Sequence, residues 1–346
     1  MRVLVTGATG FVGQHVARSL AGTADVAVLA RDVDKARIAA PNAEVFQGDF
    51  RDPAALRRAC QGIDVLYHIG ARRDHWGLPY REYYESNVIG TKNVLEAARA
   101  ANISKIVYCS TVGVYSYDFR YKPVDEAHPY GEHFGYYHKS KKLAEDVVNA
   151  SGMPVITVRP GWIFGPNDDA GGVTQMLIKL ARGRFAFVGA GANRVHPVYI
   201  DDVVNGILAA GRSEQYGEAF LLLGPEPITF RNYVLAMCEA LGVEPPKLQL
   251  PYALALLASY PLEAAWLVKN RLIGKKTLGD KPPMTRDTLA GVTTDRAYDV
   301  SKGERLLGHS PQVGVRQGLA HTVEWLAQSG RLPETVVAGA AEATIQ

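Results

Sequence analysis

Met1-Arg-Val-Leu-Val-Thr-Gly-Ala-Thr-Gly-Phe-Val-Gly13 runs a short β-branched stretch directly into three glycines spaced three apart. Arg2 to Val5 has the continuous apolar character of a parallel strand buried on both faces. Gly7 permits the tight turn out of the strand, Gly10 lets backbone approach a phosphate, and Gly13 lets the next helix pack against the strand. Free N–H groups and the positive end of a helix dipole then meet at one point, which is an anion site. The spacing is G-x-x-G-x-x-G, not the G-x-G-x-x-G of many dinucleotide folds. Its weight comes from lying between a strand and an amphipathic helix.

Outward from this turn, the first 160 residues alternate strand-like and helix-like segments. Strands are expected at Val3–Val5, Val26–Leu29, Glu44–Gln47, Val65–Ile69, Lys105–Cys109 and Val155–Arg159, and helices at Val12–Ala21, Pro53–Cys60, Tyr83–Ala100 and Tyr137–Ala150. Such alternation means βαβ units and an α/β fold with a doubly wound parallel sheet of Rossmann type. After Pro160 the composition changes. Gly161 to Asp168 reads as a loop, followed by a helix at Val173–Arg182, a short strand at Phe185–Val188, a loop at Gly189–Pro197, a helix at Asp201–Ala210 and a strand at Ala219–Leu223. Residues 1–160, with return strands from about 196–225, are expected to form the dinucleotide-binding core. Residues 161–195 and 226–330 would form a smaller, mainly helical substrate lobe over the carboxyl ends of the strands, where open α/β sheets bind ligands. Residues 331–346 read as a disordered tail.

With 346 residues, 47% hydrophobic and 21% charged, the chain has the composition of a globular enzyme. A net charge of +3 with scattered basic residues, densest at Lys139–Lys142 and Lys275–Lys276, is too small to argue for nucleic acid or an anionic membrane as partner. Cys60, Cys109 and Cys238 lie far apart with no metal-ligand spacing, which fits a reduced, cytoplasmic protein, and the chain opens on a strand rather than a signal peptide. Leu250 to Ile273 is the most apolar stretch. Pro261, Glu263, Lys269 and Arg271 interrupt it, so it is not a membrane span. Buried helices or a cavity wall is the favoured reading, and contact with a membrane or lipid-like substrate is the alternative.

Tyr137 and Lys141 are four apart at the start of a helical segment, hence on one face, one turn apart. A phenol with a pKa near 10 needs a neighbouring cation to work as an acid or base at neutral pH. Ser110-Thr111 follows the strand Lys105–Cys109 directly, where a hydroxyl can bond a substrate oxygen or simply satisfy the local turn. Asp201 and Asp202 are read as caps of the helix they begin, and His68, His138 and His196 have no ligand-like spacing. The aromatic group His75-Trp76, Tyr80, Tyr83-Tyr84 is either a pocket wall or helix core.

Taken together, these motifs resemble the extended short-chain dehydrogenases/reductases over roughly residues 1–330. The matching pieces are Thr6–Gly13, Gly48–Asp52, His68–Ala71, Asn87–Leu95, Ser110–Tyr115, Tyr137-x-x-x-Lys141, Arg159–Pro166 and Val198–Val203. The resemblance implies that Gly7, Thr9, Gly10, Phe11, Val12 and Gly13 hold the cofactor's pyrophosphate end, and that Asp49 and Phe50 contact adenine. Ile69, Gly70 and Ala71 would line the ribose–nicotinamide side, and the turn after Pro160 would flank the carboxamide. Tyr137 would be the acid/base, Lys141 would tune it and hold the nicotinamide ribose, and Thr111 would stand for the usual Ser/Thr. Asn87 would support the site or cap its own helix. The resemblance also suggests a homodimer through a four-helix interface.

Arg31 lies eighteen residues after Gly13, where an NAD-selective fold places an acid about 20 residues on. Its planar fork suits a 2′-phosphate, while Asp32 beside it would repel one. The reading leans to NADP, with NAD the alternative. Val112-Gly113 follow Thr111 where a sugar 4,6-dehydratase carries an Asp-Glu pair, so that chemistry has no acid or base here. The apolar 250–273 stretch, Pro282–Arg286 and Asp295–Lys302 resemble the 3β-hydroxysteroid dehydrogenase and dihydroflavonol reductase branch. Hydride transfer to or from a secondary alcohol or ketone on an apolar small molecule is therefore expected. A nucleotide-sugar 4-epimerase with retained NAD is the alternative, and a non-catalytic cofactor-binding regulator the remote one.

Overall fold

The structure, a computed structural model, describes residues 1–73, 76–115, 123–131, 135–273, 282–333 and 336. His75, the Lys275–Lys276 pair and the tail beyond Val336 lie outside the described residues. The glycine turn joins β1 (Arg2–Thr6) to α1 (Phe11–Leu20) as expected. Then come β2 (Asp25–Ala30), α2 (Val33–Ala39), β3 (Glu44–Gln47), α3 (Pro53–Ala59) and β4 (Val65–His68). Helix α2 was not anticipated, because the segment is short and buries only the small residues Ala36 and Ala39. Asp32 starts it, its carboxylate accepting the Lys35 N–H at 3.0 Å. Asp52 does the same for α3, with Pro53 in the first turn.

The expected helix Tyr83–Ala100 is three pieces: α4 (Tyr80–Tyr83), a π-helical turn (Tyr84–Ile89) and α5 (Gly90–Ala100). After β5 (Lys105–Cys109) a 3₁₀ turn (Val112–Tyr115) precedes α6 (Tyr136–Ala150) and β6 (Val155–Pro160). The expected loop Gly161–Asp168 contains a strand, β7 (Trp162–Phe164). It is followed by α7 (Gly172–Ala181), β8 (Phe187–Val188), β9 (Arg194–Val195), β10 (Pro197–Tyr199), α8 (Ile200–Arg212) and β11 (Ala219–Leu222). β7 pairs with β10, far along the chain, so a loop-like composition becomes a strand only through its partner.

β11 rejoins the main sheet, whose order is β11-β6-β5-β4-β1-β2-β3, with every pairing parallel. The order reverses between β1 and β4, and that crevice is where such sheets bind ligands. Apolar clusters on both faces bury the sheet. The chain ends in β12 (Ile228–Thr229), α9 (Phe230–Leu241), β13 (Gln249–Leu250), α10 (Tyr252–Ile273), α11 (Arg286–Thr293), α12 (Ser301–Leu307) and α13 (Val315–Gln328). Leu319, Val323, Leu326, Leu332 and Val336 join the core under α9, so packed structure continues past residue 331, where a loose tail was expected to begin.

Helix α10 corrects the favoured reading of the 250–273 stretch. Many of its large apolar residues face outward: Leu257 is 67% and Leu272 80% exposed. Its polar residues Ser259, Glu263 and Asn270 are buried. The Glu263 carboxylate accepts the Arg286 backbone N–H at 2.7 Å and its Nε–H at 3.0 Å, which turns that face toward α11. Among the described residues, no helix is long and apolar enough to cross a membrane.

Backbone crowding at the crevice leaves no room for side chains. Gly7 has φ +79°, and a Cβ there would sit 2.6 Å from the Gly70 Cα; one on Gly13 would sit 2.2 Å from the Gly7 carbonyl oxygen. Neither neighbour can swing aside, since both are backbone. Gly13→Ala is expected to lower stability by about 3 kcal/mol, read as the urea midpoint, and to weaken nucleotide binding in parallel.

Candidate active site

Two charged side chains on the buried face of α6 fix its position. Lys141 is 2% exposed, and its Nζ donates to the Cys109 carbonyl at 2.7 Å, at the end of β5, while lying 4.3 Å from the Tyr108 ring centroid. Burial pulls its pKa down to about 8. One turn on, the Glu145 carboxylate accepts Arg159 Nε–H at 3.1 Å and Nη2–H at 2.7 Å from β6. The Arg159 guanidinium also donates to the Tyr115 hydroxyl at 2.6 Å and to the Glu126 carbonyl at 3.1 Å, and the Tyr130 hydroxyl donates to Glu145 at 2.5 Å. The Glu145 carboxylate beside it holds the Arg159 pKa above its ordinary value, against the pull of burial. Removing one partner of such a buried pair strands the other charge.

Tyr137 is half-buried on the same helix, one turn before Lys141. Thr111 begins the segment after β5, its hydroxyl accepting the Gly113 N–H at 3.1 Å. Both readings of Thr111 therefore apply: it satisfies a local turn, and it also lines a cavity of about 60 Å³ with Gly113, His138, Trp162, Arg296 and Tyr298. Ser110 Oγ is buried next to it with no hydrogen-bond partner among the described residues.

Asn87 does not cap its own helix. From the π-helical turn its side chain accepts the Arg72 N–H at 2.6 Å, and it donates to the Arg72 carbonyl at 3.0 Å and to Ser140 Oγ at 2.8 Å. It clamps the segment after β4 to α6. Asp202 is not a cap either, since its buried carboxylate accepts the N–H groups of Gln312 (2.9 Å) and Val313 (3.0 Å), pinning the stretch before α13. His68 sits between β1 and α5: Nδ1 is 2.7 Å from Thr6 Oγ1 and Nε2 is 3.0 Å from Thr91 Oγ1. Tyr80 and Tyr83 pack against Tyr136 at the start of α6, with centroids 5.5 and 6.2 Å apart, so these aromatics serve mainly as packing.

At the adenine end, the Asp49 carboxylate accepts the N–H and side-chain donors of Arg51 at 2.8 to 3.1 Å, and those bonds hold its pKa low against burial. Phe50 lies against Gly70 and Gly90, where a Cβ would come within 2.6 to 2.9 Å of its ring. Arg31 is largely exposed, 3.9 Å from Asp49, whereas Asp32 is turned into its own helix as a cap. Ile69, Gly70 and Ala71 continue from β4 along the crevice, and Pro160 ends β6 on the far side. Gly7, Gly70 and Lys141 thus lie at the carboxyl ends of the neighbouring strands β1, β4 and β5. His138, Trp162, Arg296 and Tyr298 were not picked out as site residues. They lie within stretches that carry the family likeness, but nothing local marks them individually, and only the folding of the C-terminal region brings the last two to Thr111.

The arrangement is that of a nicotinamide-dependent fold, and the comparisons specify it further. Residues 3–222 match the model of the NAD dependent epimerase/dehydratase family, and the chain belongs to that family. A 2-alkyl-3-oxoalkanoate reductase of Stenotrophomonas maltophilia is 31% identical over 336 residues, covering 92% of this chain and 97% of the relative. A decarboxylating sterol-4-alpha-carboxylate 3-dehydrogenase of Mus musculus is 29% identical over 92% of this chain and 89% of its own. Among solved structures, a dTDP-glucose 4,6-dehydratase of Streptomyces venezuelae, with NAD and TYD bound, superposes with a TM-score of 0.76 at 25% identity over 95% of this chain and 97% of that one. The protein is an NAD(P)-dependent enzyme of the extended short-chain dehydrogenase/reductase type.

Burial drives the His68 pKa down to about 3, and it also lowers those of His15, His196 and His309. The folded pKa lies below the unfolded value of 6.5, so on acidification the unfolded chain binds a proton that the folded one refuses. Stability therefore falls as pH drops below about 6.5, with His68 alone contributing up to about 1.4 kcal/mol per pH unit. Urea midpoints between pH 7 and pH 5 should show this slope, and His68→Gln should remove close to one proton from it.

Proposed function

We propose that the enzyme transfers hydride between a nicotinamide cofactor and a secondary alcohol or ketone carried on a largely apolar small molecule. One observation carries this reading: Tyr137 and Lys141 stand one turn apart on α6, and Lys141 is tied at 2.7 Å to the Cys109 carbonyl at the end of β5, two residues before Thr111. The bound cofactor supplies or accepts the hydride at its nicotinamide ring. Tyr137 gives or takes the proton of the substrate oxygen, and Thr111 orients that oxygen. Lys141 keeps one donor on the Cys109 carbonyl, and its charge favours the phenolate of Tyr137. Gly7, Thr9, Gly10, Phe11, Val12 and Gly13 hold the pyrophosphate end, Asp49 and Phe50 the adenine, Ile69 to Ala71 the nicotinamide side, and Pro160 flanks the carboxamide.

The same reading assigns 161–195 and 226–330 to the substrate and a homodimer to the assembled enzyme. It also places the chain in the cytoplasm, where the free, buried Cys60, Cys109 and Cys238 stay reduced. NADP is favoured over NAD because Asp32 is committed to capping α2, while Arg31 stands exposed at the end of β2. The reductase and dehydrogenase relatives favour net redox chemistry over epimerisation.

Tyr137→Phe should lower turnover about a thousandfold while cofactor binding, followed by fluorescence quenching, is kept. Wild-type turnover in this variant would overturn the role of Tyr137. Conversion without net change in nicotinamide absorbance would assign an epimerase instead. Arg31→Ala should weaken NADPH binding about tenfold and leave NADH nearly unaffected.

A further inference from the structure

Helix α10 has its polarity reversed, apolar outside and polar inside. Leu254, Leu257, Pro261, Ala265, Val268 and Leu272 follow one another at spacings of three and four, which places them on one stripe of the helix, and all six are exposed. Tyr260 and Leu267 widen the stripe, each more than half exposed. Ser259, Glu263 and Asn270 share the opposite face and are buried. A surface helix ordinarily does the reverse, because apolar area left in water is unfavourable, and an apolar stripe of this kind marks an interaction surface.

The rotation of the helix is fixed from within. The Glu263 carboxylate accepts the Arg286 N–H and Nε–H from α11, and Asn270 lies against Gly77, where a Cβ would come 3.1 Å from its Nδ2. The stripe cannot turn inward without stranding a buried carboxylate.

The charges around the stripe choose what covers it. At 3.6 residues per turn, Lys269 and Arg271 fall about 80° to either side of the line through Val268 and Leu272, so a cation borders the stripe on each edge. Lys269 Nζ lies 4.2 Å from the Trp266 ring centroid, and the Arg286 guanidinium carbon lies 5.0 Å from that of Tyr260. Such pairs, apolar at one end and charged at the other, suit the level of lipid headgroups. Glu263 is the one acid in the helix, and it is turned inward. A second copy of this face would therefore bring no carboxylate to meet the cations.

We infer that α10 docks on the surface of an anionic lipid bilayer, with its apolar stripe in the acyl boundary and Lys269 and Arg271 at the headgroups. It lies on the bilayer rather than across it. Among the described residues no helix is long and apolar enough to span, and the polar face of α10 stays on the protein. The chain's net charge of +3 is too small to supply the attraction, which is local to this helix.

Flotation of the full chain with vesicles needs no turnover and is therefore independent of the redox reading. The protein should float about tenfold more with phosphatidylcholine vesicles containing about 30% phosphatidylglycerol than with phosphatidylcholine alone. That excess should shrink in about 1 M salt, where screening is strong. Leu257→Gln/Val268→Gln/Leu272→Gln should lose about tenfold or more in binding. Lys269→Gln and Arg271→Gln should each lose about fivefold on the anionic vesicles alone, and these single variants decide the matter if the triple variant does not fold. Absence of flotation with either vesicle overturns the inference. Equal flotation with both does so too, as does wild-type binding by a triple variant whose urea midpoint is unchanged. A wild type that binds neither vesicle and sediments as a dimer, with the triple variant a monomer, also overturns it, since a second copy then covers the stripe.

Discussion

The site hangs from two buried charges one helical turn apart. Lys141 bonds the last carbonyl of β5, and Glu145 grips Arg159 on β6, so α6 is held against two neighbouring strands at once. A helix packed only by apolar contacts can slide or roll with little penalty. One pinned by directional, desolvated charges has a single position. Tyr137 inherits that position, as does the first turn of α6 against the Tyr80 and Tyr83 rings. Arg159 extends the constraint to the Tyr115 hydroxyl and the Glu126 carbonyl, and so to the segment that follows Thr111.

The other half of the groove is built by close approach rather than by charge. Gly7, Gly13 and Gly70 bring three stretches of backbone together where any side chain would intrude. Thr6, His68 and Thr91 thread a buried hydrogen-bonded line from the glycine strand to α5, and Asn87, whose carbonyl accepts the Thr91 hydroxyl at 2.6 Å, carries it on to Ser140 in α6. The strand that leads into the glycine turn and helix α6 are thus parts of one polar network, with its histidine held neutral by burial.

Much of this was legible in the sequence where the signal is local. Glu44–Gln47 and Lys105–Cys109 were read to the residue, since a β-branched run between turn signals has few alternatives. The four-residue spacing of Tyr137 and Lys141 gave a shared face as soon as a helix was assumed. Local reading failed where a partner decides. β7 is a strand because β10 lies beside it, Asp202 leaves its own helix for Gln312 and Val313, and α2 hides its apolar face in a mostly polar segment. The π-helical turn was equally invisible, because its purpose is to aim Asn87 at Arg72 and Ser140.

By itself, then, the chain's sequence determined the doubly wound sheet, the glycine turn and the shared helix face of Tyr137 and Lys141, because each depends on residues a few positions apart and on backbone geometry that those residues impose. Only the tertiary structure decided what surrounds Thr111 and what faces outward. Arg296 and Tyr298 reach Thr111 through the folding of the C-terminal region, and composition cannot say which neighbour a distant arginine will find. Likewise the apolar letters of 252–273 read the same whether buried or exposed. The ion pair between Glu263 and Arg286 fixes the helix's rotation, and with it which face meets solvent.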